Sequence, residues 1–408
     1  GKYWIYLKDK YHSPYSVYEP QKYLSERAIE RRYKQGIPID ISDIPVSEVY
    51  LDSIRQFGIT VLYASKWFNA VAVEAEYRQL ETLMKNCSFT VNIIFPVKPS
   101  PLPDSNHQNQ FPDRKKKLRN ENNYFDYGSA DKQIDLLNGQ VIHNEGFRGE
   151  NMHIAVIDAG FLLANQMTAF DTLRKHHGIL GTYDFVKRQS VQYNTSSHGT
   201  KILSLLAGYL PEVYVGTAPN AKYWLLRSEN ASSEYLIEEC NWAVAAEYAD
   251  SAGADIITSS LGYSQFDNPL QNHKYNDLDG KTTIVTQAAN MAFSKGMLVI
   301  NSAGNSGNKA WQYVTAPADG FGVIAVGATD SEGSYVSFSS RGPTADDRIK
   351  PDVAAQGYRT FLCATDNTVE RGNGTSFSAP QIAGLSACLW QKFPDYTNIQ
   401  IRDLIIRS

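Results

Sequence analysis

Ile154-Ala155-Val156-Ile157 is the run that most narrows the folds open to this chain. Four small or β-branched residues in succession, with no polar alternation, describe a strand buried on both faces. Such strands belong to α/β sheets covered by helices on either side. The strand stops at Asp158, before the turn Ala159-Gly160. A carboxylate there stands at the carboxyl end of its strand, where open α/β sheets build their sites. Taken alone, an Asp-x-Gly reads as readily as an aspartate capping the next turn.

Two helix starts carry further chemistry. In Gly372-Asn373-Gly374-Thr375-Ser376-Phe377-Ser378-Ala379-Pro380 a glycine-flanked serine precedes Ile382, Ala383, Leu385, Ala387, Leu389 and Trp390, a helix apolar enough to be buried on most sides. Pro380 is tolerated only near a helix start, where its missing N–H costs little. Ser376 should therefore sit at the positive end of that helix, among free backbone N–H groups that stabilise developing negative charge. A plain N-cap is the alternative. The second start is Ser197-His198-Gly199-Thr200, ahead of Ile202, Leu203, Leu205, Leu206 and Ala207. Glycine after the histidine leaves room for a chain to approach the ring, although a lone histidine there is more often structural.

Asp158, His198 and Ser376 together make the set that acyl transfer needs. The serine attacks, the imidazole takes and returns its proton, and the carboxylate fixes the tautomer. With these motifs in the order Asp, His, Ser, the sequence from about residue 125 to 408 resembles the subtilisin-like serine peptidases of family S8. The resemblance implies a three-layer, mainly parallel α/β sheet and a secreted endopeptidase that hydrolyses peptide bonds through an acyl-enzyme. It also assigns roles. Asn305, in the turn after the buried strand Met297-Leu298-Val299-Ile300, would donate its side-chain amide to the oxyanion beside the Ser376 N–H; otherwise it merely supplies a left-handed turn. Asp255 to Gly262 matches the family's substrate-pairing strand. Ser260, Leu261 and Gly262 would offer backbone groups to an extended peptide, with Ser302 and Gly304 lining the pocket for the residue before the cut. No charged residue commits that pocket. Phe377 stands where the family usually has methionine, an apolar change that spares the position from sulfoxide formation. Members usually continue beyond the point where this sequence ends, so a further strand or domain is expected after Ser408.

The first hundred residues read separately. Tyr3 to Leu7 is a strand, Ser25 to Lys34 a charged helix inside an insertion over about residues 11–45, and Val46, Tyr50, Ile54 and Phe57 lie at helical spacing behind a Ser47 cap. Strands Ile59 to Ala64 and Ala70 to Val73, a helix from Tyr77 to Asn86 and a strand from Phe89 to Val97 complete a split βαβ, ferredoxin-like order. This looks like the inhibitory propeptide of subtilisin-like zymogens; an unrelated small α+β domain is the alternative. Residues 98–126, rich in Pro, Asn and Gln, form an exposed linker before a catalytic domain over 127–408. A maturation cut should fall between Val97 and Tyr127. The basic run Arg114 to Arg119 is a solvated linker segment rather than a nucleic-acid patch, since the chain's net charge is −4.

No apolar run approaches the length of a membrane span. Gly1 is neither an initiating methionine nor the start of a signal peptide, so a leader was removed or the sequence comes from a longer precursor. This fits a secreted, extracellular or periplasmic enzyme. Four cysteines match no zinc pattern and read as free thiols, although Cys363 could pair with Cys388. Asn276-Asp277-Leu278-Asp279-Gly280 has the start of a calcium loop but lacks its downstream glutamate, and reads as an Asx-rich turn. The resemblance leaves structural calcium open without identified ligands, and the chemistry requires no cofactor or catalytic metal. The expected partners are a peptide or protein substrate and the chain's own propeptide. Two other functions stay open: a catalytically silent peptide-binding module, and an acyl transferase or esterase on the same scaffold.

Overall fold

The computed structural model describes residues 1–94 and 123–408. The expected linker cut, the basic run from Arg114 and the last residues of the strand to Val97 therefore lie outside the described residues. The N-terminal unit runs β1 (Lys2–Leu7), α1 (Glu26–Lys34), α2 (Glu48–Gln56), β2 (Thr60–Ser65), β3 (Ala70–Glu74), α3 (Tyr77–Asn86) and β4 (Thr90–Ile94). Its antiparallel sheet has the order β2-β3-β1-β4, the arrangement of a split βαβ unit. Ser25 caps α1 by accepting from Ala28 N at 3.2 Å. Ser47 stands at the start of α2 as expected, but its hydroxyl is buried and makes no capping bond.

The larger unit follows as α4 (Asp131–Asp135), α5 (Gly139–Asn144), β5 (His153–Asp158), α6 (Asp171–Lys175), β6 (Ile179–Asp184) and α7 (His198–Ala207). A small hairpin, β7 (Tyr209–Leu210) and β8 (Tyr214–Val215), leads to β9 (Lys222–Arg227), α8 (Ile237–Ala252), β10 (Ile256–Ser259), α9 (Ile284–Ser294) and β11 (Leu298–Ser302). Then come β12 (Val323–Thr329), β13 (Val353–Gln356), a second hairpin of β14 (Thr360–Cys363) and β15 (Val369–Gly372), α10 (Ala379–Lys392) and α11 (Asn398–Arg407). Seven of these strands form one parallel sheet in the order β13-β12-β11-β10-β5-β9-β6.

The pleat of β5 explains the layers. Ile154 and Val156 enter the core that holds Ile202, Leu203 and Leu206 of α7 with Ala379, Ala383 and Ala387 of α10. Ala155 and Ile157 point the other way, into the core with Trp242, Ala246 and Ala249 of α8 and Val285 and Ala289 of α9. Period-2 alternation thus feeds two cores at once, and all four residues are fully buried. Cys363 and Cys388 are both buried free thiols. No helix among the described residues is long and apolar enough to cross a membrane.

The N-terminal sheet also has two apolar faces. Ile5, Leu7, Val71 and Val73 pack on Leu51, Ile54, Leu80 and Leu83 of its own helices. Trp4, Ala70 and Ala72 join the core beneath α8 and α9 instead. A second attachment is ionic and centres on α1. Arg31 and Arg32, 6% and 1% exposed, both reach Asp250 in the last turn of α8. Arg32 Nη2 donates to both Asp250 carboxylate oxygens at 2.8 Å and to Asp43 Oδ1 at 3.0 Å. Arg27 Nε and Gln35 Nε2 donate to the Gly253 and Gly296 carbonyls at 3.0 and 2.8 Å. The insertion thus satisfies carbonyls that α8 and α9 leave open at their C-terminal ends, and places cations where the helix dipoles favour them.

Candidate active site

The carboxyl end of the parallel sheet gathers the polar residues. Asp158, the last residue of β5, is fully buried. Its Oδ1 accepts from Ala159 N at 2.8 Å, which fixes the carboxylate's orientation. His198, the first residue of α7, brings Nδ1 to 2.9 and 3.0 Å from the two Asp158 oxygens. The pairing depends on Gly199. A Cβ there would meet the Gly160 carbonyl oxygen at 2.5 Å and Asp158 Cβ at 2.9 Å, so only glycine lets α7 begin this close to β5. An acceptor at Nδ1 selects the tautomer with Nε2 unprotonated, the form that can take a proton. Burial alone would push the imidazole's pKa down. The Asp158 carboxylate more than offsets that, and the pKa lies above its ordinary 6.5.

Ser376 falls not in α10 itself but in the single 3-10 turn Thr375–Phe377 that leads into it. The chain reaches this turn through Gly374, whose φ of +149° suits glycine. Ser376 Oγ donates to the Ser260 carbonyl oxygen at 3.4 Å rather than to His198. In return, Ser260 Oγ donates to the Ser376 carbonyl oxygen at 2.8 Å, tying the segment after β10 to the serine turn. Phe377 is buried with its ring centroid 6.2 Å from that of His198.

Asn305 is exposed beyond β11 and held by its oxygen. Oδ1 accepts from Thr375 N at 2.8 Å and from Thr375 Oγ1 at 3.1 Å. That holds the amide by its oxygen and leaves Nδ2 as its donor. Thr375 Oγ1 also accepts from Gly304 N at 3.1 Å. One threonine therefore sets the distance between the two sequence-predicted donors, a role that sequence reasoning missed.

Ser260 and Leu261 are buried and Gly262 is exposed, in the extended segment after β10. The Leu261 carbonyl already accepts from Asn301 Nδ2 at 2.9 Å, so it would meet a peptide with one remaining lone pair. Ser302 is buried at the end of β11 and Gly304 is half-buried. A Cβ on Gly304 would lie 3.0 Å from Ser340 Oγ and 3.1 Å from Thr315 Oγ1. Thr315 and Ser340 thus stand against Gly304, and nothing local in the sequence announced them.

A calcium ion does not fit the Asx-rich turn. Asp277 Oδ2 accepts from Lys274 N, and Asp279 accepts from Lys281 N, Thr282 N and Thr282 Oγ1. Those carboxylates cap their own loop. Among the described residues, the one group of acids spaced as metal ligands are is Glu229, Glu234 and Glu238, which the sequence reading did not pick out.

Comparison with known proteins adds three findings. Residues 149–408 match the model of the subtilase family, peptidase S8, and residues 2–112 match a model described as a peptidase S8 propeptide domain of Bacteroidota. Subtilisin DY of Bacillus licheniformis is 29% identical over 272 residues, 66% of this chain and 88% of that protein. Subtilisin E of Bacillus subtilis (strain 168) is 30% identical over 277 residues, 66% of this chain but only 63% of that protein. A crystal structure of a cold adapted subtilisin-like serine proteinase superimposes with a TM-score of 0.48 at 23% identity, covering 63% of this chain and 81% of that one.

Proposed function

The chain belongs to the subtilase family of serine peptidases, with a propeptide domain at its N-terminus, and from that premise we propose that it is a zymogen whose Ser376 cleaves peptide bonds. Ser376 Oγ attacks the scissile carbonyl while His198 Nε2 takes its proton. Asp158 holds the imidazole and stabilises the imidazolium. The oxyanion is received by the Ser376 N–H and Asn305 Nδ2. The imidazolium then protonates the leaving amine, and water, activated by the same base, releases the acyl group from Ser376. Each step uses the chain's own groups and water, so no metal or cofactor enters the chemistry. The substrate lies extended along Ser260, Leu261 and Gly262, with the side chain before the cut in the recess of Ser302 and Gly304. The Asp158–His198 pairing carries this reading: a carboxylate on Nδ1 leaves Nε2 free as a base, and the serine turn packs against the helix that carries the ring.

The division into a propeptide over 1–97, a linker over 98–126 and a catalytic domain over 127–408 belongs to the same proposal, as does secretion. The propeptide acts as an intramolecular inhibitor until the linker is cut. The bond from Ser376 Oγ to the Ser260 carbonyl is the observation that would favour a silent peptide-binding module instead. A fluorophosphonate probe decides between them. The purified chain and its Ser376→Ala variant are incubated with the probe and read by intact mass. Labelling that needs Ser376, with release of an N-terminal fragment ending between Val97 and Tyr127, is expected. No labelling of folded chain, even after limited trypsin treatment, would overturn the peptidase reading.

A further inference from the structure

The segment after β9 folds back over the same end of the sheet as the catalytic residues. Ser228 N donates to the Asp158 carbonyl oxygen at 3.1 Å, and Glu229 is the next residue. Glu229, Glu234 and Glu238 each present a carboxylate oxygen, and the three lie within 4.8 Å of one another. Asp267 is tied to the same group, accepting from Glu234 N at 3.2 Å. The adjacent Glu239 has a cationic partner, His273. The charges that bear most on Glu234 are other carboxylates: Glu229, Glu238, Asp267 and Glu239. Burial, reinforced by the neighbouring acids, pushes Glu238 up to about 9 and Glu234 up to about 10.

One buried oxygen in this group also lacks a partner, and a second is poorly served. Glu238 is 2% exposed; its Oε1 accepts from Asn230 N at 3.1 Å, but Oε2 has no hydrogen-bond partner. Tyr263 is fully buried beside Glu229, and its hydroxyl makes no well-directed hydrogen bond. A buried polar atom left without a partner is costly, and native structures keep few of them without a reason. Tyr263 directly follows Ser260-Leu261-Gly262, while Glu229 and Glu234 are only half-buried. The acids therefore open beside the segment along which a substrate would lie.

We propose that Glu229, Glu234 and Glu238, with the Tyr263 hydroxyl, form an acidic subsite for the side chain of an arginine or lysine a few residues before the scissile bond. The inference rests on the peptidase reading and adds to it a substrate class. An arginine supplies five N–H donors in a planar fork that matches carboxylates in pairs, and a lysine supplies three. Calcium is the competing occupant, because three carboxylates carry six oxygens and calcium takes six to eight; the test below separates the two. Extended substrates turn alternate side chains to the same side, so one or two upstream positions should carry the preference.

The test uses the full chain after linker cleavage, with the active fraction titrated by the fluorophosphonate probe. Quenched peptides carry arginine or norleucine at each of the second to fifth positions before the cut. The readout is the ratio of kcat/KM for the two. We expect arginine to be favoured by about tenfold or more at one position, in line with close charge pairs across interfaces. In Glu234→Gln, and separately in Glu229→Gln, that ratio should fall to about twofold or less. The inference is overturned if probe-labelled enzyme shows no such preference at any position, or if the preference survives both substitutions. It is also overturned if calcium binds the wild type and not Glu234→Gln while peptide selectivity is unchanged, since the acids would then be a metal site. Failure of probe labelling would sink the peptidase reading itself, and is distinguished by that control.

Discussion

Asp250 is the most informative residue to perturb outside the active site. It is fully buried in the last turn of α8, and its cationic partners Arg31, Arg32 and Lys66 all come from the N-terminal unit. Burial pushes its carboxyl pKa up, but Lys66, Arg31 and Arg32 more than offset this and hold it at about 2. Asp250→Asn leaves two arginines buried at 6% and 1% exposure with a neutral amide between them. Removing one side of a buried ion pair costs roughly 3–5 kcal/mol, which is roughly two to three and a half decades in Kd. The loss falls on docking of the two units, because in the separated catalytic unit the substituted amide would be exposed to water. The assay is dilution of linker-cleaved protein, following recovery of peptide hydrolysis as the N-terminal fragment leaves. Asp250→Asn should release it at protein concentrations at least about a hundredfold higher than the wild type does. A control melt of the catalytic fragment should move little. A Kd within about threefold of wild type would refute the reasoning, and would mean that apolar contacts of Trp4, Ala70 and Ala72 hold the fragment without help. Replacing Asp250 by leucine together with both arginines by methionine should recover much of the affinity, since matched apolar groups often replace buried ions without loss.

Three further outcomes follow from the site. Asn305→Ala should lower kcat by a factor on the order of 10²–10³ with little change in KM, because it removes one oxyanion donor, and should lower the melting temperature, because the buried Thr375 loses its acceptor. On the acid side, kcat/KM should fall with a midpoint above pH 6.5: the raised pKa keeps His198 protonated to a higher pH, and the protonated ring cannot act as base. A midpoint below 6.5 in a pH–rate profile would contradict this. Gly199→Ala should push α7 off β5 and cut kcat/KM by on the order of 10² or more through misplacement of His198, while fluorophosphonate labelling slows in parallel; normal turnover would show that the Gly160 carbonyl can yield.

The parts of the structure that were legible in the sequence are those that depend on neighbours in the chain. Ile154 to Ile157 announces its own burial, and the strand ends at Asp158 as expected. Ser25 announces the start of α1, and the helix from Tyr77 to Asn86 matches α3 residue for residue. What the sequence hid depends on distant partners. Arg31 and Arg32 look like the solvated face of a charged helix, yet both are buried because Asp250 waits more than two hundred residues downstream. Glu229, Glu234 and Glu238 lie in the segment after β9 and the first turn of α8, so only the way that segment folds back brings their oxygens together. Thr375 reads as a turn residue beside the serine, and its hold on Asn305 appears only when the ends of β11 and the serine turn meet at one end of the sheet. The hydroxyl of Ser47 failed to cap for a related reason: the position is right, but tertiary packing buries the side chain away from the helix start.

The place of α10 in the chain has a consequence for time. Ala379, Ala383 and Ala387 cover one face of the parallel sheet against β10 to β13, so that face stays uncovered until nearly the whole sequence is available. The contacts that close it join residues tens to more than a hundred positions apart, and non-local contacts form late and slowly. Synthesis proceeds from the N-terminus, so the propeptide and its arginine helix exist before the serine does. Ser376 and the element that seals the fold therefore arrive together, when the N-terminal unit that packs beneath α8 is already made.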